Sequence, residues 1–216
     1  MSKISFLGSV TDSDALGNRR WRIVSTLLFV VFSLALLARY GYVWKWVESL
    51  SLFVPDPVFF RSFLNNPGGM LAYAGAFLTQ FLYYPFWGSC LLVLLLLGTQ
   101  QLTCRLFRLE GVSYLCSFIP SFLLLTAVLD LGYTWATLKA PGHFFMPTLG
   151  VIFALSCLAL FRWVKVYYAR LVLLPVIVAL YPFCGFYALF AAGLCLIDEC
   201  VNRPGKKSWA VALVGV

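Results

Sequence analysis

Long uncharged runs separated by short charged clusters set the pattern of this chain. Ile23–Ala38 carries no charge and is bracketed by Arg22 and Arg39. At about 1.5 Å per residue it covers roughly 24 Å, short of the ~30 Å hydrocarbon core of a bilayer. Both arginines can snorkel, and Tyr40, Tyr42, Trp44 and Trp46 supply an interfacial belt, so the first membrane span is expected over about 21–44. A secretory signal would read similarly, but the run is long for one. No small-x-small cleavage site follows it either, because Leu36 and Ala38 occupy the two positions. Further runs predict spans at 86–103, 112–131 and 144–161, the third span kinked at Pro120. Residues 1–22 read as a polar tail and 23–216 as a membrane domain.

Segment 45–82 forms a long first loop. Pro55-Asp56-Pro57 interrupts any helix there, and Pro67-Gly68-Gly69 makes a second break. Beyond it, Met70, Tyr73, Ala74, Phe77, Leu78 and Phe81 recur at helical spacing, with Ala72, Gly75, Ala76, Thr79 and Gln80 on the opposite face. One bulky apolar face and one small-residue face suit an interfacial helix over 70–82. Leu171–Ile197 is long for one span and short for two, and Tyr181-Pro182-Phe183-Cys184-Gly185 can break it. Residues 208–216 read as the start of another span, so the chain is expected to continue beyond its end. The predicted fold is all-α: a polytopic transmembrane helical bundle with an interfacial helix in the first outer loop and a broken hairpin near 171–197.

Composition supports the membrane reading. Apolar residues make up 62% and charged residues 11%, against about 45–50% and 25% in soluble domains. That excludes a disordered chain, a coiled coil and an ordinary soluble enzyme. The net charge of +8 would suggest nucleic acid on a soluble domain, but no basic stripe is interleaved with aromatics. It fits the positive-inside bias instead, and no nucleic-acid partner is expected. Charge also decides segment 171–197. With the N-terminus cytoplasmic, a hairpin leaves only Arg39, Lys45, Arg61 and Lys139 of the 16 Lys and Arg outside. A single span would move Arg203, Lys206 and Lys207 out as well and nearly level the two sides.

Candidate chemistry is sparse. The seven cysteines (Cys90, Cys104, Cys116, Cys157, Cys184, Cys195 and Cys200) form no C-x-x-C pair and lie mostly inside apolar runs, as small fillers would. His143 is the only histidine, so no metal is expected, and no nucleotide or cofactor motif occurs. Glu48, Asp56 and Asp130 share the outer side with the cations Arg39, Arg61 and Lys139. Ionisable residues near membrane depth are functional candidates by default, although each of these can also sit solvated among headgroups. Asp130 leads because it ends an otherwise apolar run, and Asp56 follows because flanking prolines hold it.

Asn66-Pro67-Gly68-Gly69-Met70-Leu71-Ala72-Tyr73 and Phe77-Leu78-Thr79-Gln80-Phe81-Leu82-Tyr83-Tyr84-Pro85-Phe86-Trp87-Gly88 resemble a signature of an uncharacterised family of Bacteroidota polytopic membrane proteins. Leu138-Lys139-Ala140-Pro141-Gly142-His143-Phe144 and Gly185-Phe186-Tyr187-Ala188-Leu189 are similar to later parts of it. The resemblance implies a multi-pass protein of a bacterial cytoplasmic (inner) membrane, longer than this chain, with no established activity to carry over.

The layout is also similar to the opening of C-type membrane glycosyltransferases: one span, a long outer loop with an acid, then a series of spans. That analogy implies Glu48 or Asp56 as base, with Arg61, Lys139 and Arg39 on the phosphate of a polyprenyl-phosphate donor. The acidic pair usual in that class is missing here. Three function classes therefore stay open. They are sugar transfer at the outer face, an anchor or scaffold for a further C-terminal part, and a transporter. The last suits the sequence least, since Tyr181, Tyr187 and the cysteines are the only mildly polar residues between Leu171 and Ile197.

Overall fold

Proline, glycine and arginine mark most of the helix ends in this chain. The computed structural model describes residues 3–51, 53–138, 142–164 and 166–202, with side chains from residue 19 onward except over 131–138 and at Tyr167 and Asn202. The helices are α1 (Lys3–Arg39), α2 (Gly41–Leu50), α3 (Pro57–Leu64), α4 (Gly69–Thr79), α5 (Pro85–Phe107), α6 (Ile119–Leu138), α7 (Met146–Trp163), α8 (Tyr167–Ala179), α9 (Tyr181–Cys184) and α10 (Phe186–Asn202). Tighter 3-10 turns precede α5 and α6. No strand occurs among the described residues, and Arg19–Arg39, Pro85–Phe107, Gly111–Asp130 and Met146–Trp163 are long and apolar enough to cross a membrane. The fold is an all-α polytopic bundle, as the hydrophobic pattern predicts.

Two boundaries differ from the sequence expectation for physical reasons. α1 stops at Arg39 rather than near residue 44, because Tyr40 leaves the helical region at φ −99°, ψ 13°. The chain folds back so that the Trp44 indole donates to the Leu37 carbonyl at 3.0 Å. That bond is the second one this carbonyl accepts, beside the Tyr40 N–H at 3.1 Å, and it ties α2 to the end of α1. Pro120 falls in the first turn of α6, where its missing N–H costs little. The third span changes helix type just before it, from the 3-10 stretch Gly111–Phe118 to α6.

Side-chain size sorts the faces. On α1, Phe29, Ser33 and Leu37 face inward while Leu27, Leu28, Val31 and Phe32 are exposed. On α5 the buried face is Gly88, Ser89, Leu92, Val93, Leu96, Thr99, Gln100 and Thr103. On α4, Ala72, Gly75, Ala76 and Thr79 are buried and Met70 and Phe77 are outside, as is Phe81 in the 3-10 turn that follows. A lipid solvent does not drive large apolar residues inward, so on α4 small residues line the contact and bulky ones lie outside. Several inner hydroxyls are satisfied locally, while those of Ser33 and Thr148 are buried without a partner among the described residues. Thr79 and Thr103 donate to the carbonyls of Gly75 and Thr99, four residues back, and Gln100 donates to Ser117 at 2.9 Å.

Polar contacts define two ends. At the loop end, residues 41–84 cover the tips of the later helices. The Gly68 N–H donates to the Pro182 carbonyl at 3.1 Å, the Gly142 N–H to Ser51 Oγ at 3.3 Å, and the Gln80 amide to the Ser51 carbonyl at 2.9 Å. At the other end, Arg22 meets Glu110, Arg162 meets Asp198, and Arg170 meets Glu199. Arg170 opens α8 and Glu199 closes α10, so both arms of segment 171–197 begin and finish at this arginine end. Between them the chain turns at Leu180–Gly185, against the Pro67-Gly68-Gly69 break. This is the broken hairpin; the 13-residue α8 reaches only about 20 Å, and α4 of the loop layer packs against its turn.

Candidate functional site

The candidate residues that lie among the described ones sit on four different helices or their caps. Glu48 is half-buried on α2. Asp56 is exposed at the N-cap of α3, with no capping bond from its carboxylate. Arg61 is exposed in the last turn of α3, and Arg39 is exposed at the end of α1. Asp130 is exposed on α6, which continues past it to Leu138. Lys139 lies outside the described residues, as do Arg203, Lys206, Lys207 and the apolar run 208–216. Among the described residues no ion pair joins Glu48, Asp56 or Asp130 to Arg39 or Arg61.

Glu48 faces a cavity. A groove of about 800 Å³ runs between α2, the end of α4 and the first half of α5. Its walls are Phe77, Phe81, Tyr83, Tyr84, Trp87, Cys90, Leu91 and Leu94, with Glu48 and Gln80 as the polar members. From Tyr84 to Leu94 it follows α5 for roughly 15 Å. Tyr83, Tyr84 and Trp87 are exposed at its mouth, the arrangement of an interfacial aromatic belt. Among the described residues no lysine or arginine lines the groove.

The floor beneath α4 is a glycine clasp. A Cβ on Gly75 would lie 2.1 Å from the Gly142 carbonyl oxygen, and a Cβ on Gly142 would lie 1.9 Å from the Ala72 carbonyl oxygen. Gly142 also holds φ +79°, and Gly68 and Gly185, at φ +84° and +59°, pack backbone on backbone. Three of the sequence blocks singled out above, around Gly68, Gly142 and Gly185, thus meet at one place. Beside Gly142, His143 is half-buried, and burial lowers its pKa below the ordinary histidine value. At neutral pH its ring is neutral.

Sequence reasoning missed two features. The first is α3, whose Phe59, Phe60 and Phe63 pack against Tyr73 on α4. Asp56-Pro57 is a helix-start signal, read above only as an interruption. The second is the depth of the arginine end. Arg170 is 3% exposed; its guanidinium donates to the Val164 carbonyl at 2.6 Å and to Glu199 at 3.4 Å, and it stacks over Phe161. Arg162 donates to Asp198 at 3.0 and 2.6 Å and to the Leu106 carbonyl. Two adjacent acids, Asp198 and Glu199, at the end of an apolar arm were the available signal. Among the described residues, no three of His, Cys, Asp and Glu gather as metal ligands.

No curated protein and no solved structure matches the chain. A family model described as "Family of unknown function (DUF6057)" matches residues 18–216. With nearly its whole length matched, the chain belongs to that family of unknown function.

Proposed function

We propose that this membrane domain holds the hydrocarbon chain of a membrane lipid in the groove beside Glu48, with the loop end at the outer face of a bacterial inner membrane and the N-terminus cytoplasmic. The groove carries the reading. It opens on the bilayer side, its walls are apolar over about two turns or more of α5, and its mouth carries the belt residues Tyr83, Tyr84 and Trp87. A cavity open to lipid and lined this way is filled by lipid. The test is photocrosslinking of the purified full chain in nanodiscs with a diazirine-tailed phospholipid. Label should concentrate on residues 77–94, and Leu94→Trp, which fills the groove, should reduce it severalfold. Label spread evenly over the exposed faces of α1, α5 and α6, and indifferent to Leu94→Trp, would leave the anchor reading in place.

Sugar transfer from a polyprenyl-phosphate donor is the second reading, favoured by the position of one carboxylate, Glu48, on a lipid-sized groove. In that case Glu48 is the base, Asp56 and Asp130 assist it, and Arg61, Lys139 and Arg39 hold phosphate. A phosphate needs cations close by, and none among the described residues lines the groove, so those three side chains would have to reach over its mouth. A tail-labelled polyprenyl phosphate that competes with phospholipid for residues 77–94, and loses that advantage in Arg61→Gln, is the outcome this reading requires. Equal competition in both proteins rejects it.

A further inference from the structure

A second cleft, at the arginine end, has the opposite chemistry. It measures about 790 Å³ and lies between the ends of α5 and α7 and the end of α10, with Arg105, Arg108, Arg162 and Arg170 on its walls and Asp198 as its carboxylate. Two of the four arginines are already committed. Arg162 is bound to Asp198 and to the Leu106 carbonyl, and Arg170 to Glu199 and the Val164 carbonyl. These bonds also satisfy carbonyls where α5 and α7 end, which would otherwise repel an anion. Arg105 and Arg108 remain. Both are exposed, and no carboxylate pairs with either among the described residues.

Arg108 is the more informative. It sits at the C-cap of α5 with φ +49°, the one non-glycine residue among those described with a positive φ. Glycine takes that conformation without penalty, so an arginine there keeps its side chain at the expense of backbone strain. Such outliers point to a functional constraint. Phe107 and Trp163, both largely exposed, flank the cleft; exposed tryptophan at the end of a span marks the headgroup level.

From these observations we infer that the cleft binds the phosphate of an anionic phospholipid headgroup, with Arg105 and Arg108 as its ligands and Arg162 as a fixed wall. Basic pockets between membrane helices at the positive side are built to take such headgroups, and arginine matches phosphate geometry through paired N–H donors. The inference is independent of the groove, which lies at the opposite end.

The test uses the full chain purified in neutral detergent and titrated with phosphatidylglycerol, phosphatidylcholine or inorganic phosphate, with affinity read from tryptophan fluorescence and thermal stability followed in parallel. Phosphatidylglycerol should bind more tightly than phosphatidylcholine and raise the melting temperature. Arg108→Gly keeps the positive φ and should melt no lower than wild type without lipid, yet bind phosphatidylglycerol roughly fivefold more weakly; adding Arg105→Gln should cost a similar factor again. If the double variant fails to fold, Arg108→Gly decides alone. Unchanged phosphatidylglycerol affinity in Arg108→Gly, or equal affinity for the two lipids, overturns the site. Inorganic phosphate matching phosphatidylglycerol at equal concentration overturns the lipid headgroup in favour of a free anion.

Discussion

Single atoms decide the fit at Gly75. Its missing side chain lets α4 lie against the Gly142 turn, and any Cβ there meets a backbone oxygen that cannot rotate away. Forcing atoms into a packed contact costs typically 1–3 kcal/mol, and a backbone neighbour puts Gly75→Ala at the upper end, about 3 kcal/mol. Gly98 is the control, since a Cβ there meets nothing within 4 Å. It lies inside α5, where alanine is favoured over glycine by about 0.5–1 kcal/mol. Unfolding of the two variants in detergent should therefore move in opposite directions from wild type. Equal shifts would mean that the α4–Gly142 contact contributes nothing to the fold.

Among the elements, the hairpin α8–α10 depends most on charge. Arg170 and Glu199 join its arms at 3% and 5% exposure, whereas Arg22 and Glu110 pair at 3.9 Å with Glu110 largely exposed. Removing one partner of a buried pair costs about 3–5 kcal/mol, because the other charge stays in a poor solvent; a surface pair contributes about 0–1 kcal/mol. Arg170→Met should thus destabilise the protein by about 3 kcal/mol. The double variant Arg170→Met/Glu199→Met should recover most of that loss, and Glu110→Gln should change stability by less than about 0.5 kcal/mol. A double variant no better than Arg170→Met would show that the guanidinium acts through Phe161 and the Val164 carbonyl rather than through Glu199. The hairpin itself was legible from Tyr181-Pro182 and the placing of Lys and Arg. The pairing was not, because a sequence does not say which of several end-of-helix charges face each other. α3 was hidden for a different reason: Pro57 both breaks a preceding helix and opens a following one, and the breaking role alone was read. The small face of α4 was legible, since Ala72, Gly75, Ala76 and Thr79 share a period with no charge among them.

Across the whole molecule, the two ends follow the charge pattern, and the candidate site residues sit on separate elements. Helical membrane architecture follows from run length and needs no partner information. A site needs residues distant in sequence to converge, and exposed Asp56, Arg61 and Asp130 carry no signal of which way they turn. What the structure adds at one end is a set of direct contacts: Arg22 with Glu110, Arg162 with Asp198 and the Leu106 carbonyl, and Arg170 with Glu199. Ser51, Gly68, Gly142 and Pro182 share the other through hydrogen bonds and backbone packing. The span count between the two sets then constrains topology by itself, and the positive-inside rule supplies the direction. Reporter fusions after residues 108 and 166 should report the cytoplasm, and fusions after 60 and 140 the outer side. A fusion after residue 206 should agree with 166, because α10 returns to the arginine end before that point. Outward reporters at 108 and 166 together would invert the whole protein and put the arginine cleft at the outer leaflet. An outward reporter at 206 alone would mean that the chain crosses the bilayer between Arg170 and the fusion, against the Arg170–Glu199 contact.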